Sequence, residues 1–225
     1  MEEITAREIV LRRLARNGLS APFAAPLDCV RSLIGIQSQF QQWAEISIMN
    51  RCSADLTMRD LADLYARHDI INLWGQRHTL HLYTRDDWHR ICDLFEPRVA
   101  ERSLAWIEPE DYRYLAERLR QEFDSGHELP KARLLELISE YTTGRDRHEY
   151  FDYTFIILAC LRGLLFGLPQ KPGIRAYISH HRIHDQPWQP DPERAAAALQ
   201  ELMLRYFRYY GPATLADFSH WSGLP

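Results

Sequence analysis

Apolar residues recur at helical spacing over residues 4–17, with Ile9, Leu11, Leu14 and Ala15 on one side and arginines on the other. This predicts an amphipathic helix, which Gly18, Ser20 and Pro22 then break. A second helix starts near Pro26-Leu27-Asp28 and carries Val30, Leu33 and Ile34 inward. Thr57 is a natural N-cap for a third over residues 58–67, and Asp60 stands where a capping box needs an acceptor. Two short apolar stretches, 70–74 and 79–83, flank Gly75-Gln76-Arg77-His78 and read as a hairpin. Three helices followed by a hairpin is the winged-helix order, an elaboration of the helix-turn-helix.

Downstream, Thr84 caps a helix that runs toward Arg102, with Asp86 and Asp87 in the first turn, where the helix dipole favours them. Residues 108–123 and 130–141 read as a helix pair, and the apolar stretch 151–165 as a buried helix. The proline-interrupted segment 167–188 reads as a second wing and a linker. A long helix follows over 192–209; Gly211-Pro212-Ala213-Thr214 ends it and caps a short one over 215–221. The expected fold is mainly α with small β-hairpins, built as tandem winged-helix modules over residues 1–105 and 106–188. A third module opens over 189–225, and the chain stops inside it, as a fragment would.

With 46% hydrophobic and 26% charged residues in 225, the chain can bury real cores. Its six Trp and eleven Tyr suit packed helical modules, or a surface that stacks on something. The longest apolar run, 155–166, is interrupted by Arg162 and Gly163, and the acidic, amphipathic start does not read as a secretory signal. A cytoplasmic protein is expected. The four cysteines form no CxxC pair, which argues against a zinc ribbon or a disulfide framework. His180, His181 and His184 have no carboxylate at ligand spacing, so neither a metal nor a cofactor is expected.

Charge changes the picture in one respect. A net charge of −4 lacks the global basic field of a simple DNA binder, so any DNA affinity needs a local patch. Lys131 and Lys171 are the only lysines. The planar fork of arginine suits phosphate recognition, although a GC-rich genome would produce the same bias.

Three segments carry a family resemblance: Gly35-Ile36-Gln37-Ser38-Gln39; Trp74-Gly75-Gln76-Arg77-His78-Thr79-Leu80-His81-Leu82 with Asp86 and Asp87; and Tyr210-Gly211-Pro212-Ala213-Thr214 through Trp221-Ser222-Gly223-Leu224. In content and order they resemble the AlkZ/YcaQ family of winged-helix DNA glycosylases. The resemblance implies tandem winged helices around a concave DNA-binding body. It also implies excision of cationic alkylated purines, monoadducts or interstrand crosslinks, from double-stranded DNA by a monomer. His78 departs from the family pattern, which has glycine there.

Carried over by motif, Gln37 and Gln39 are the catalytic pair. An N7-alkylated purine is already a cationic leaving group, so the enzyme has only to place a water and support an oxocarbenium-like sugar. A carboxamide both donates and accepts hydrogen bonds, yet is a feeble base. Residues two apart share a face only in extended chain, so the pair is expected beyond the end of the second helix. The plain alternative is that Gln37, Gln39, Gln41 and Gln42 are polar surface residues. Arg77, Thr79 and His81 are expected to alternate along a strand and face one way, toward phosphate and lesion. Equally, Thr79 and His81 could satisfy backbone groups beneath the wing. Trp43 completes the candidate DNA- and lesion-contacting set. Two other functions compete: a winged-helix regulator that binds DNA without chemistry, and an inactive truncated paralogue.

Overall fold

The structure is a computed structural model that describes residues 4–103, 105–125, 128–169, 176–184 and 188–224. Helix α1 (Ala6–Arg16) precedes α2 (Pro26–Ser32), strand β1 (Ile36–Gln37), α3 (Gln41–Met49), α4 (Met58–Ala66), β2 (Ile70–Trp74), β3 (Leu80–Thr84) and α5 (Trp88–Ser103). From α2 onward that order then repeats as α6 (Pro109–Ser125), β4 (Leu129–Pro130), α7 (Lys131–Thr142), α8 (Phe151–Leu161), β5 (Leu165–Gly167), β6 (Ala176–Ser179) and α9 (Pro192–Tyr210). Helix α10 (Leu215–Ser222) follows. Helix, strand, two helices and a hairpin is the winged-helix topology, present twice.

All six strands join one antiparallel sheet, ordered β1-β3-β2-β5-β6-β4. The two wings meet edge to edge through a single residue pair, Asn72 with Gly167. Leu82 pairs with both Ile36 and Asn72, while Tyr177 pairs with both Leu129 and Gly167. Asn72 and Gly167 thus hold equivalent places in the two repeats, and a pseudo-two-fold axis passes between them. The same axis relates α5 to α9, which pack on each other. Two acid–arginine pairs clamp them. Arg205 lies 2.9 and 3.0 Å from the oxygens of buried Asp87, and Arg194 holds buried Asp93 at 2.5 and 2.7 Å. Losing Arg194 would leave the buried charge of Asp93 without its cation, the costly case for an ion pair, whereas Asp87 keeps Arg90 at 3.0 Å.

Strands β2 and β3 are buried on both faces. Ile70 and Leu82 join the core under α2, α3 and α4, whereas Ile71, Leu73 and Tyr83 join a larger core with α5 and α8. That double burial is why β2 reads as a nearly continuous apolar run rather than as an alternating pattern.

The structure revises two expectations. Helix α1 stands outside the first bundle: Val10, Leu11 and Leu14 are 54%, 53% and 37% exposed, and no residue of α1 is buried. It docks on the end of α9 through Arg13 to the Pro212 carbonyl and Asn17 to the Tyr209 carbonyl. The third member of the bundle is instead α3. The apolar stretch expected as one helix divides at Gly163, whose φ of +67° ends α8 and lets residues 165–167 become a strand. Part of the expected second wing, residues 170–175, lies outside the described residues. No helix among those described is long and apolar enough to cross a membrane.

Candidate active site

The Gln-x-Gln segment lies on an edge strand. Helix α2 ends at Leu33, Ile34 and Gly35 turn the chain with φ of +57° and +89°, and β1 begins at Ile36. Ile36 is buried in the core and Gln37 is exposed; Ser38 is then buried and Gln39 half-buried, with its side-chain oxygen inside the protein. Gln37 lies on the extended strand and Gln39 where the chain bends toward α3.

Gln37 stands directly opposite His81 on β3. The Ser38 N–H donates to the Leu80 carbonyl at 2.8 Å, which makes that neighbouring pair the hydrogen-bonded one. Gln37 and His81 therefore form the non-hydrogen-bonded kind of pair, in which Cα atoms come within ~4.5 Å and side chains stand closest. His81 is only 5% exposed. Its Nδ1 lies 3.0 Å from the Thr79 carbonyl, and since a carbonyl can only accept, Nδ1 carries the hydrogen and Nε2 keeps its lone pair. Burial holds the imidazole down at about 4, so it is neutral at physiological pH.

The residue between the glutamines anchors the segment. The Ser38 hydroxyl donates to Asn72 Oδ1 at 3.2 Å, and both side chains are buried. They border a cavity of about 30 Å³ that Trp74, Gly167 and Tyr177 help line, room for a bound water. Beneath β3, the carboxamide of Gln76 accepts the Tyr83 hydroxyl and donates to the Ile34 carbonyl. The Tyr83 ring fills the space that side chains at two motif glycines would need: a Cβ would fall 2.5 Å from the ring at Gly35 and 1.9 Å from the hydroxyl at Gly75.

Among the four residues expected to contact DNA, Trp43 is 63% exposed in the first turn of α3. The alternation expected for Arg77, Thr79 and His81 fails at Arg77. Arg77 and His78 have φ of +51° and +56° in a 3₁₀ turn, which takes Arg77 off the strand. Its guanidinium donates to the Trp221 carbonyl, bracing the hairpin turn on α10. Thr79 closes the same turn through its hydroxyl to the Gln76 carbonyl at 3.0 Å. The position where the family pattern has glycine is thus left-handed, and His78 occupies it at some strain. Sequence reasoning missed Phe40, 67% exposed and three residues before Trp43. Two aromatics at helical spacing among glutamines were the available signal. Glu45 lies within α3, where it accepts from Gln41 at 2.7 Å.

Of the histidines considered for metal, His180 is bonded to a fourth, His89. His180 Nε2 is 3.2 Å from His89 Nε2, with ring planes 7° apart and centroids 5.5 Å apart. That separation is the nitrogen gap plus two ring radii, so the rings lie end to end and share one hydrogen. Burial and the neighbouring histidines hold His180 down at about 3. Among the described residues no group of three or more His, Cys, Asp or Glu could hold a metal ion.

A family model described as DNA glycosylase AlkZ-like matches residues 30–225. The chain is also similar to the structure of Streptomyces sahachiroi DNA glycosylase AlkZ, with a TM-score of 0.76 and 21% identity over 99% of this chain. It spans 62% of the length of that protein. No curated protein matches by sequence.

Proposed function

Because the chain belongs to the AlkZ-like DNA glycosylase family, we propose that it hydrolyses the N-glycosidic bond of cationic alkylated purines in double-stranded DNA, with Gln37 and Gln39 placing the attacking water. The water oxygen bonds to C1′ and the C–N bond breaks. Its electron pair neutralises the purine cation, and the proton of the water passes to solvent. No acid is needed at the base, which leaves neutral. The reading asks for no cofactor, and the protein acts as a monomer.

The observation that carries the reading is the backbone register that sets exposed Gln37 directly opposite His81, a buried, neutral imidazole whose Nδ1 is engaged by the Thr79 carbonyl. A Gln37 side chain that gives its N–H to the Nε2 lone pair of that imidazole turns its carbonyl oxygen toward DNA, where it accepts from water. In that arrangement Thr79 would fix the tautomer of His81, and His81 the flip of Gln37. Phe40 and Trp43, both exposed and shortly after the Gln-x-Gln segment, supply stacking faces, which bind bases at ~1–3 kcal/mol each. We also read the organisation as two winged-helix units over 1–105 and 106–188, with a third opening over 189–225.

Excision from duplexes bearing N7-methylguanine tests the proposal. Abasic product is expected, with no strand cleavage, no borohydride-trapped adduct and no release from uracil duplexes, since neither glutamine is an acid and the only lysines are Lys131 and Lys171. Efficient uracil release or a trapped adduct would overturn the water-positioning reading. Tight duplex binding with no release would favour the regulator instead.

A further inference from the structure

Beside the hairpin turn, a hollow of about 170 Å³ opens between the end of α5, the start of α8 and His78. Val99, Ile157, Trp106 and Tyr153 make its apolar walls. Tyr153 is 47% exposed and meets Trp74 edge-on at 5.0 Å. The size suits one planar ring system rather than a drug-sized ligand.

The polar groups in the hollow are donors. Arg102 donates to His78 Nε2 at 3.1 Å, which places the hydrogen of the neutral ring on Nδ1. Burial, with Arg102 and Arg98 nearby, keeps His78 below its ordinary range and therefore uncharged. The Thr154 hydroxyl is buried in the wall of the hollow, in a residue only 2% exposed, and has no hydrogen-bond partner. An unpartnered hydroxyl in an apolar wall is destabilising by itself. The lining carries no carboxylate, and its one charge is a guanidinium.

We propose that this hollow binds a neutral, planar heteroaromatic group bearing hydrogen-bond acceptors, stacked between Trp106 and Tyr153 with an acceptor on the Thr154 hydroxyl. In the reaction proposed above, the group of that description is the purine after the glycosidic bond has broken, when the cation has become a neutral base. To that extent the inference rests on the proposed function. The site suits a product better than the cationic lesion, because Arg102 repels a cation and the lining holds no carboxylate to pair with one, which leaves only the ring faces of Trp106 and Tyr153 to offset that charge.

Ligand-observed NMR titration of the 225-residue chain, comparing neutral 7-methylguanine with cationic 7,9-dimethylguaninium in mildly acidic buffer, tests it. Saturable binding of the neutral base is expected, at least about tenfold tighter than that of the cation. Tyr153→Leu should weaken it about tenfold through lost stacking. Thr154→Val is the sharper probe: removing an unpartnered hydroxyl raises Tm without ligand, while binding of 7-methylguanine weakens about fivefold. Equal binding of the two bases, no saturable binding, or a Thr154→Val chain that binds as tightly as wild type would overturn the site. Because the titration needs no excision, a chain that binds the base but excises nothing leaves this inference standing and removes the glycosylase reading. Excision without base binding does the reverse.

Discussion

The two winged-helix repeats share topology and register, and differ where the chemistry is proposed. In the first, the short strand places Gln37 opposite His81; in the second, the matching strand places Pro130 opposite Ala176. The first repeat then inserts Ser38, Gln39 and Phe40 before α3 begins at Gln41, whereas α7 begins at Lys131, directly after Pro130. A proline that cannot donate, facing a methyl group, offers nothing to a water. Both edges of one sheet therefore carry the same scaffold, and one carries functional groups. The comparison teaches that the fold builds the same body twice, and that in the proposed reading the difference between the edges lies in three inserted residues, the exposed Gln37 and one buried imidazole.

Four measurements can break or sharpen that contrast. Gln37→Ala or Gln39→Ala should lower excision by at least about 10²-fold, with Tm almost unchanged for exposed Gln37 and lowered only modestly for half-buried Gln39. Lys131→Ala, just past the matching strand in the other repeat, should leave excision within about twofold. Equal losses on both edges would abolish the asymmetry.

The next effect is on stability. His81 titrates at 6.5 when unfolded and at about 4 when folded. Between those values the unfolded chain binds a proton that the folded chain excludes, so stability falls as pH falls from 6.5 toward 4. The loss sums to about 3 kcal/mol if the full shift is realised. Denaturant melts should show this slope in wild type and lose that share of it in His81→Asn, which keeps a donor for the Thr79 carbonyl. An unchanged slope would mean that His81 is not the buried group described.

Gly75→Ala should cost about 2 kcal/mol or more by urea denaturation, because its Cβ collides with the hydroxyl of Tyr83. At Gly144, φ is +74° but no atom lies within 4 Å, so an alanine there should cost only about 1 kcal/mol. Similar costs at both sites would deny Tyr83 its packing role. The smallest effect is on binding. Phe40→Ala or Trp43→Ala should weaken duplex affinity about threefold to tenfold, and leave the log–log salt slope at roughly −0.9 per contacted phosphate for three to six phosphates. A changed slope would identify the aromatics as organisers of phosphate contacts.

Elements with local signals were legible in the sequence. Asp60 reaches back to Thr57, and Asp217 to Thr214, at 2.7 to 2.9 Å, as the capping patterns predict. Helix α3 was hidden because Phe40, at its N-cap, contributes no side-chain cap, and because Trp43 and Ile46 face outward. The two-residue strands β1 and β4 were invisible, since such strands exist only through distant partners. The position of the glutamines just past the end of the second helix was legible, whereas the partial burial of Gln39 was not. The burial of His81 was not, because Leu-His-Leu-Tyr alternates like a half-exposed strand until the larger core covers its second face. Arg77 misled for a similar reason: a left-handed turn cannot be seen in a sequence that lacks the glycine such turns favour.

Consider, last, the pair on the pseudo-two-fold axis. A site on an axis meets its own image, and a side chain placed there must fit against a copy of itself. Here a Cβ on Gly167 would lie 3.2 Å from the Asn72 carbonyl oxygen, tighter than most real contacts, and 3.4 Å from the Asn72 Cβ. Two asparagines would meet at this joint only if the neighbouring backbone gave by a few tenths of an ångström, so the close approach favours halves that differ there. The side chain that survives on one half is the one that takes the Ser38 hydroxyl between the glutamines. Broken symmetry at the seam thus selects which edge of the sheet holds its loop in place.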